Sequence, residues 1–281
     1  MDLYYTSPAG VKTPKLIYGT AWKKERTADL VALALKKGFR GIDTACQPKH
    51  YNEYLVGEGL KRAYAEGIKR EDLFLQTKFT PFPGQDPNNA PYDPSAPLAE
   101  QIHQSLKASL KNLNTEYLDS LVLHSPLQTW EQTQTAWQTM EALVETGAVK
   151  QIGISNCYDL VLLSELFRCA KIKPALLQNR FYKETNYDKD LRGFCKENHI
   201  FYQCFWTLNA NMHILSSTVI SEIAQKKGKT VAAVFFRCLN QQAIHPLYGT
   251  TSEQHMEDDL DICNFSLSEE ECGLIQACGP Y

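Results

Sequence analysis

The feature that most constrains the fold is an alternation of short apolar runs with amphipathic stretches. The runs are rich in β-branched and aromatic residues, which is typical of buried strands. The stretches between them, such as TADLVALALKKG and LAEQIHQSLKASLKNL, carry apolar residues at helical spacing. This alternation predicts a parallel sheet. Eight strands are predicted: KLIYG (15–19), FRGIDT (39–44), LFLQTKF (73–79), LDSLVLHS (118–125), VKQIGIS (149–155), ALLQNRF (175–181), IFYQCFW (200–206) and AIHPLYG (243–249).

Eight strand–helix units in roughly 250 residues predict an α/β fold closed into a (β/α)8 TIM barrel. The alternative, an open doubly wound sheet, places a glycine-rich phosphate turn after its first strand. Here the corresponding turn is GTAWKKE (19–25), which has no such pattern. The N-terminal stretch LYYTSPAGVKTPKL (3–16) is predicted to form a hairpin that caps the barrel floor. We expect a single domain over residues 1–281, without a long C-terminal tail after the last helix.

The composition is that of an ordinary globular protein, with 43% hydrophobic residues, 22% charged residues and a net charge of −3. Because no run of Lys and Arg is present, neither nucleic acid nor membrane is expected as a partner. The start, MDLYYTSPAG, lacks the pattern of a secretory signal. Nine scattered cysteines indicate free thiols in a reducing compartment. The thiols therefore indicate a cytoplasmic protein. We also expect a monomer or a small homo-oligomer.

Ionisable residues stand at the ends of successive predicted strands. Asp43 ends the second strand, Lys78 the third and His124 the fourth. The carboxyl ends of barrel strands converge on one cleft, where a buried Lys or Asp needs a partner. A structural ion pair with a hydrogen-bonded histidine would explain these residues. However, the loop in GIDTACQPKHYNEYLVG (41–57) adds several more groups that exchange protons, which favours a catalytic site.

In its motifs the chain resembles the aldo-keto reductases, from GTAW at 19 to FSLSEEE at 265. The motifs are IDTA…YNEYLVG, LFLQTK, LDSLVLHSP, IGISN, LLQNRF and TTSEQHMEDDL. The resemblance implies a (β/α)8 barrel that binds a nicotinamide cofactor without a Rossmann domain, which agrees with the missing glycine turn. It also implies an NADP-dependent oxidoreductase that reduces aldehyde or ketone carbonyls of small molecules to alcohols.

The resemblance implies a catalytic tetrad of Asp43, Tyr51, Lys78 and His124. Tyr51 would protonate the carbonyl oxygen while the cofactor delivers hydride. A free tyrosine has a pKa near 10, and the Lys78 cation would lower it toward the working range. Asp43 would hold Lys78, and His124 would hydrogen-bond the carbonyl.

The resemblance also implies a cofactor site. Ser155, Asn156 and Gln178 would hold the nicotinamide carboxamide, which needs both donors and acceptors. Phe205 would stack on the nicotinamide ring, although it could equally be barrel core. The other implied cofactor contacts are Gly19, Thr20, Asp43, Trp206, Leu208, Gly249, Thr250, Thr251, Ser252, His255, Asp258 and Asp259.

The loop after the second strand departs from the family pattern. The tyrosine normally stands five residues after the aspartate, and here that position is Pro48. Counting back from Asn52 and Glu53 places His50 at the tyrosine's position instead. The loop is therefore slightly longer than usual.

This shift leaves two candidates for the proton donor. We favour Tyr51, because its phenol is the group that Lys78 would tune. His50 is the alternative. Tyr54 is predicted to lie on the surface or in the core of the following helix.

The second departure concerns the adenosine 2′-phosphate of the cofactor. The family commonly binds this phosphate with a lysine and an arginine after the last strand. Here those two positions are Gly249 and His255. The strong cationic contacts are therefore lost. Thr250, Thr251 and Ser252 remain as hydroxyl and backbone donors near a helix start. We expect NADPH, with NADH as the alternative.

The substrate is expected to contact Trp22, Tyr51, Phe79 and His124. Further candidate apolar walls, each as readily core as pocket, are Phe82, Trp130 and Trp206. The segment TPFPGQDPNNAPYDPSAP (80–97) holds six of the thirteen prolines, which excludes a long helix. It is predicted to be a long loop over the pocket, in place of the family's C-terminal tail.

Two other functions are consistent with parts of the sequence. A catalytically weak barrel that senses the cofactor and binds a partner protein would not need the tetrad, whereas all four residue types are present. An aldolase with Lys78 as a Schiff base would need a lysine that no adjacent carboxylate holds.

Overall fold

The computed structural model describes residues 4–281. Its first element is an antiparallel hairpin of β1 (Tyr4–Thr6) and β2 (Lys12–Pro14). The Tyr5 ring stacks on Phe201 at 4.8 Å, and its hydroxyl donates to the His199 carbonyl at 2.7 Å. Phe201 opens a barrel strand, so the hairpin covers the amino-terminal end of the barrel, as predicted.

Eight further strands form a closed parallel barrel in which each strand pairs with its sequence neighbours and the last pairs with the first. Closure leaves no free strand edge. The predicted (β/α)8 fold is confirmed, and all eight predicted strands are present. They are β3 (Ile17–Gly19), β4 (Gly41–Asp43), β5 (Phe74–Phe79), β6 (Ser120–Leu123), β7 (Ile152–Ser155), β8 (Leu176–Arg180), β9 (Phe201–Phe205) and β10 (Ile244–Tyr248).

Helices surround the barrel, and most begin at a Ser, Thr, Asn or Asp whose side chain accepts a first-turn N–H. None of the helices within residues 4–281 is long and apolar enough to cross a bilayer. The helices are α1 (Thr27–Lys37), α2 (Glu53–Ala65), α3 (Leu98–Leu113), α4 (Trp130–Glu145), α5 (Leu160–Cys169), α6 (Lys189–Glu197), α7 (Met212–Leu215), α8 (Thr218–Lys227), α9 (Val231–Gln241), α10 (Glu253–Asp261) and α11 (Glu269–Cys278). Short 3-10 turns cover Lys24–Arg26, Arg70–Asp72, Phe82–Gly84, Asn209–Asn211 and Ile262–Asn264, and a kinked one covers Lys183–Asp188.

Strand alternation places polar residues inside the barrel. In β5, Leu75 and Phe79 belong to the apolar core between the barrel and its helices. Their neighbours Gln76 and Lys78 therefore face the barrel interior, since successive side chains point to opposite faces. Both are buried, so the upper interior of the barrel is polar.

The proline-rich segment 80–97 is a loop with one 3-10 turn, as predicted. It is anchored at its base, because Gln85 Nε2 donates to the carbonyls of Cys46 at 2.9 Å and Thr80 at 3.2 Å. The buried Tyr92 hydroxyl also donates to the Thr80 carbonyl at 2.8 Å. The loop thus packs against the turn that follows β4.

Candidate active site

A buried ion pair forms the base of the cleft at the carboxyl ends of the strands. Lys78 Nζ donates to Asp43 Oδ1 at 2.8 Å, to Asp43 Oδ2 at 2.6 Å and to the Thr44 carbonyl at 2.7 Å. The two side chains are 1% and 2% exposed. Burial lowers the pKa of Lys78, and the Asp43 carboxylate opposes that shift. These contacts match the three donors of an ammonium group, so Lys78 is held in one position.

Three buried glutamines complete this network: Gln178, which the sequence predicted, and Gln76 and Gln203, which it did not. Asp43 Oδ1 also accepts from Gln76 Nε2 at 2.8 Å and from Gln178 Nε2 at 3.1 Å. Gln203 Oε1 accepts from the same two amides at 2.8 Å and 2.9 Å. The carboxylate is therefore oriented by neutral donors as well as by Lys78.

The alternation of side chains along a strand could have identified Gln76 and Gln203. Gln76 stands two residues before Lys78, and Gln203 stands two residues before Phe205. Residues two apart lie on the same face of a strand. Each glutamine should therefore share the barrel interior with the predicted site residue that follows it.

Tyr51 lies beside the ion pair. Lys78 Nζ is 5.3 Å from the centroid of the Tyr51 ring, and the His124 ring centroid is 6.1 Å from it. Burial, and secondly the Asp43 carboxylate, raise the pKa of Tyr51. The sequence predicted a lowered pKa for Tyr51, and the structure gives a raised one, mainly because the side chain is buried.

The two residues that follow Tyr51, Asn52 and Glu53, fix the path of its loop. Asn52 Oδ1 accepts from the Leu55 N–H at 3.0 Å and so begins α2. The buried Glu53 carboxylate accepts from the hydroxyls of Thr77 at 2.5 Å and Ser109 at 2.9 Å. The Glu53–Thr77 hydrogen bond therefore ties the chain that follows Tyr51 to β5.

His124 follows β6 with its ring held by a hydroxyl. Its Nδ1 lies 2.6 Å from Thr80 Oγ1, and its backbone N–H donates to the Phe79 carbonyl at 2.9 Å. Burial, with smaller contributions from Lys78 and His50, lowers the pKa of His124 to about 3. The imidazole is therefore neutral at physiological pH.

His50, the alternative proton donor, also lies near His124, since its charge contributes to lowering the pKa of that histidine. Its ring lies against Trp22 with 4.0 Å between centroids, and its Nδ1 is 2.9 Å from Gln47 Oε1. Burial, followed by the Lys49 charge, lowers the pKa of His50. Tyr54 lies on the surface of α2, which is one of the two positions predicted for it.

The residues expected to hold the nicotinamide carboxamide lie together at the ends of β7 and β8. Ser155 Oγ donates to the Gln178 carbonyl at 2.6 Å. Asn156 adopts a positive φ of 50°, and its Nδ2 donates to the His124 carbonyl at 2.9 Å. The predicted stacking residue Phe205 ends β9 and is partly exposed. Donors, acceptors and one aromatic face thus meet beside the catalytic candidates.

The other end of the predicted cofactor site is the segment after β10. Gly249 and Thr251 are exposed, and the Thr250 carbonyl accepts from the Tyr18 hydroxyl at 2.8 Å. Ser252 Oγ accepts the His255 N–H at 3.4 Å and so begins α10. The segment therefore offers hydroxyl groups and a helix start, as expected.

The remaining predicted cofactor residues differ in accessibility. Trp206 is 53% exposed and lies under the Arg180 guanidinium, whose central carbon is 4.2 Å from the ring centroid. Asp259 is buried in α10, and burial, then the Asp258 charge, raises the pKa of Asp259 to about 7. The others are buried Gly19, buried Thr20, whose hydroxyl donates to the Asp43 carbonyl at 2.9 Å, and half-buried Leu208.

Of the predicted substrate contacts, Phe79 lies away from the cleft. It is 1% exposed, and its ring packs on Tyr92 with 5.6 Å between centroids, in the layer between barrel and helices. This placement argues against a contact with substrate. Trp22, by contrast, is 58% exposed beside His50. The proposed walls Phe82 and Trp130 pack against the core.

The closed parallel barrel brings Asp43, Lys78 and His124 together at the carboxyl ends of its strands, the end where barrel enzymes have their active sites. Comparison with known proteins is more specific. Residues 15–212 match the family described as the aldo/keto reductase family. The chain belongs to this family, whose members are oxidoreductases that use nicotinamide cofactors.

Relatives match most of the chain. Aldose reductase B of Dictyostelium discoideum is 31% identical over 280 residues, which cover 91% of this chain and 85% of that protein. The NAD(P)H-dependent D-xylose reductase of Pachysolen tannophilus is 30% identical over 305 residues, covering 95% of this chain and 91% of that protein. A crystal structure of an aldo/keto reductase from Brucella melitensis has a TM-score of 0.83 at 26% identity and covers 98% of both chains.

Proposed function

We propose that this protein is an NADPH-dependent reductase of small aldehydes or ketones in which Tyr51 donates the proton. The observation that carries the proposal is the convergence of three groups. The Tyr51 ring lies near both the Lys78–Asp43 ion pair and His124, with 5.3 Å from its centroid to Lys78 Nζ and 6.1 Å to the His124 centroid. The chain directly after Tyr51 is tied to β5 by the hydrogen bond between Glu53 and Thr77 at 2.5 Å.

The polar groups at the two ends of the site fit a nicotinamide dinucleotide. Amide and hydroxyl groups of Ser155, Asn156 and Gln178 match the donors and acceptors of a carboxamide. At the other end, hydroxyls at 250–252 and the start of α10 suit a phosphate. When bound, the nicotinamide supplies the hydride.

The Tyr51 phenol is a weaker acid than a free tyrosine, because burial raises its pKa. A phenol with a raised pKa stays protonated at neutral pH, so it holds the proton that the reduced oxygen needs. It can transfer that proton as negative charge develops on the oxygen. The Lys78 ammonium then stabilises the phenolate that remains.

The neutral His124 can orient the carbonyl. If the Thr80 hydroxyl donates to Nδ1, the ring carries its proton on Nε2. That N–H can donate to the carbonyl oxygen beside the Tyr51 phenol. Two donors on one oxygen would stabilise its developing charge.

The geometry of Lys78 speaks against the aldolase alternative. A Schiff-base lysine must be neutral and free to attack a carbonyl carbon. Lys78 Nζ is instead bound by both Asp43 oxygens and the Thr44 carbonyl. No specific observation favours a partner-binding sensor.

The test is NADPH oxidation with a panel of aldehydes and ketones, followed through the absorbance of the reduced nicotinamide. Tyr51→Phe should lower turnover about 10²–10⁴-fold. Tyr54→Phe is the matched control, because Tyr54 is an exposed tyrosine on α2, and it should be fully active. Wild-type protein that binds NADPH but reduces no member of a broad panel would contradict the proposal.

A further inference from the structure

Two cations from the loop after β3 reach the segment that follows β10. Lys23 Nζ donates to the Gly249 carbonyl, and Arg26 Nη2 donates to the Thr251 carbonyl at 3.4 Å. These two segments are far apart in sequence and are brought together because β3 and β10 are neighbours in the barrel. The loop after β3 therefore lines the segment where the family places its 2′-phosphate contacts.

Neither cation is neutralised by a carboxylate. Within residues 4–281, no Asp or Glu lies within ion-pair distance of Lys23 or Arg26. The first-turn acid of α10, Glu253, is bound instead by Lys37 at 2.6 Å. Burial, and then the neighbouring Arg26 charge, lower the pKa of Lys23. Two adjacent positive charges without an anion would be stabilised by a bound anion.

Gly249 explains how Lys23 reaches this position. A Cβ atom placed on Gly249 would have Lys23 Nζ as its nearest neighbour, at 3.7 Å. A long side chain at 249 would compete with Lys23 for this space. The absence of a side chain at 249 and the approach of Lys23 are therefore complementary.

Arg26 keeps most of its donors available. A guanidinium group has five N–H donors in a planar fork, and the one hydrogen bond described here is long. The side chain is exposed, so a ligand can reach it. Arginine forks pair well with phosphate oxygens, and a nearby lysine adds a second positive charge.

We propose that Lys23 and Arg26 bind the adenosine 2′-phosphate of NADPH and replace the cations missing at Gly249 and His255. The inference rests on the proposed nicotinamide-dependent function. We assign the two cations to the 2′-phosphate rather than the diphosphate for one reason. They contact the carbonyls of Gly249 and Thr251, in the segment where the family binds the 2′-phosphate. NADPH should therefore bind more tightly than NADH, which shares the diphosphate but lacks the 2′-phosphate.

The test is calorimetric binding of NADPH, NADH and adenosine 2′,5′-bisphosphate to the wild type and to three variants. Lys23→Gln and Arg26→Gln each remove one proposed contact. Lys24→Gln is the matched control, since it removes one positive charge from the same turn. In the part of the chain that the structure describes, the Lys24 side chain makes no hydrogen bond or ion pair.

The expected result for Lys23→Gln and Arg26→Gln is a Kd about tenfold higher for NADPH and for the bisphosphate, with NADH unaffected. Lys24→Gln should bind all three as the wild type does. Equal losses for NADPH and NADH, or equal losses in the control, would overturn the inference while the reductase function stands. Wild type that binds neither dinucleotide would overturn both. Thermal melting checks that each variant is folded. Arg26→Gln is the variant least expected to disturb the fold, because Arg26 is exposed.

Discussion

Replacing Lys78 by methionine should strongly destabilise the protein, because it leaves the Asp43 carboxylate buried without its cation. The two groups are 2.6 Å apart and almost fully buried, so water solvates neither of them. Removing one partner of a buried ion pair typically costs about 3–5 kcal/mol. The amides of Gln76 and Gln178 would remain on the carboxylate and offset part of this cost. We therefore expect the lower end, about 3 kcal/mol.

Urea unfolding measures this loss directly, from the transition midpoint and its slope. The double variant Asp43→Asn/Lys78→Met removes both charges and should be more stable than Lys78→Met alone. Lys171→Met is the matched control, because Lys171 pairs with Glu145 on the surface and its loss should not shift the midpoint measurably. Lys78→Met that is as stable as this control, or a double variant less stable than the single one, would refute the reasoning.

Three further predictions concern protonation and orientation. Burial is the main reason that the pKa of both His124 and His245 is about 3, below the 6.5 of an unfolded histidine. The unfolded chain therefore binds protons first, and stability should fall as the pH drops from about 6.5 toward 3, by at most about 1.4 kcal/mol per pH unit for each histidine. His245→Gln should reduce this slope in urea titrations by about one proton, and an unchanged slope would speak against it. Asp259→Asn should stabilise the protein above pH 7 more than at pH 5, since burial raises the pKa of Asp259 to about 7 and the charged form is disfavoured. Thermal melts at both pH values test this, and equal shifts would contradict it. Thr80→Val should lower kcat about tenfold by releasing the His124 ring, with Thr80→Ser restoring it. In steady-state kinetics, a lower kcat with unchanged NADPH affinity would support the positioning role of Thr80. An unchanged kcat would contradict it.

The barrel could be predicted because eight apolar strand segments alternate with amphipathic helical segments along the chain. The strand period also places Phe79 on the face opposite Lys78, so the prediction that Phe79 contacts substrate disagreed with it. Strand ends were less predictable. The predicted strand 118–125 is reduced to Ser120–Leu123, because Leu118 only forms an isolated bridge to Val149 and His124 leaves the strand for the cleft.

The site could be predicted only where it depends on strand ends. Asp43 and Lys78 are adjacent because their strands are neighbours, which follows from the chain order. The contact between Gln76 and Gln203 depends instead on which strands face each other across the barrel. The contacts of Lys23 with Gly249 depend on how two loops meet after the barrel closes. Local sequence patterns do not contain this information.

The choice between Tyr51 and His50 depends on the loop path, which the residue count could not decide. In the structure, Gln47 and Trp22 contact the His50 side chain, while the Tyr51 ring lies beside Lys78. This arrangement is the physical basis for preferring the phenol.

The most direct test of the central claim is single-turnover reduction of an aldehyde by preloaded NADPH in Tyr51→Phe and His50→Gln. General acid catalysis typically contributes about 10²–10⁴-fold, so Tyr51→Phe should lose that factor while still binding NADPH. His50→Gln should retain reduction close to the wild-type rate. Reduction preserved in Tyr51→Phe and lost in His50→Gln would contradict the account.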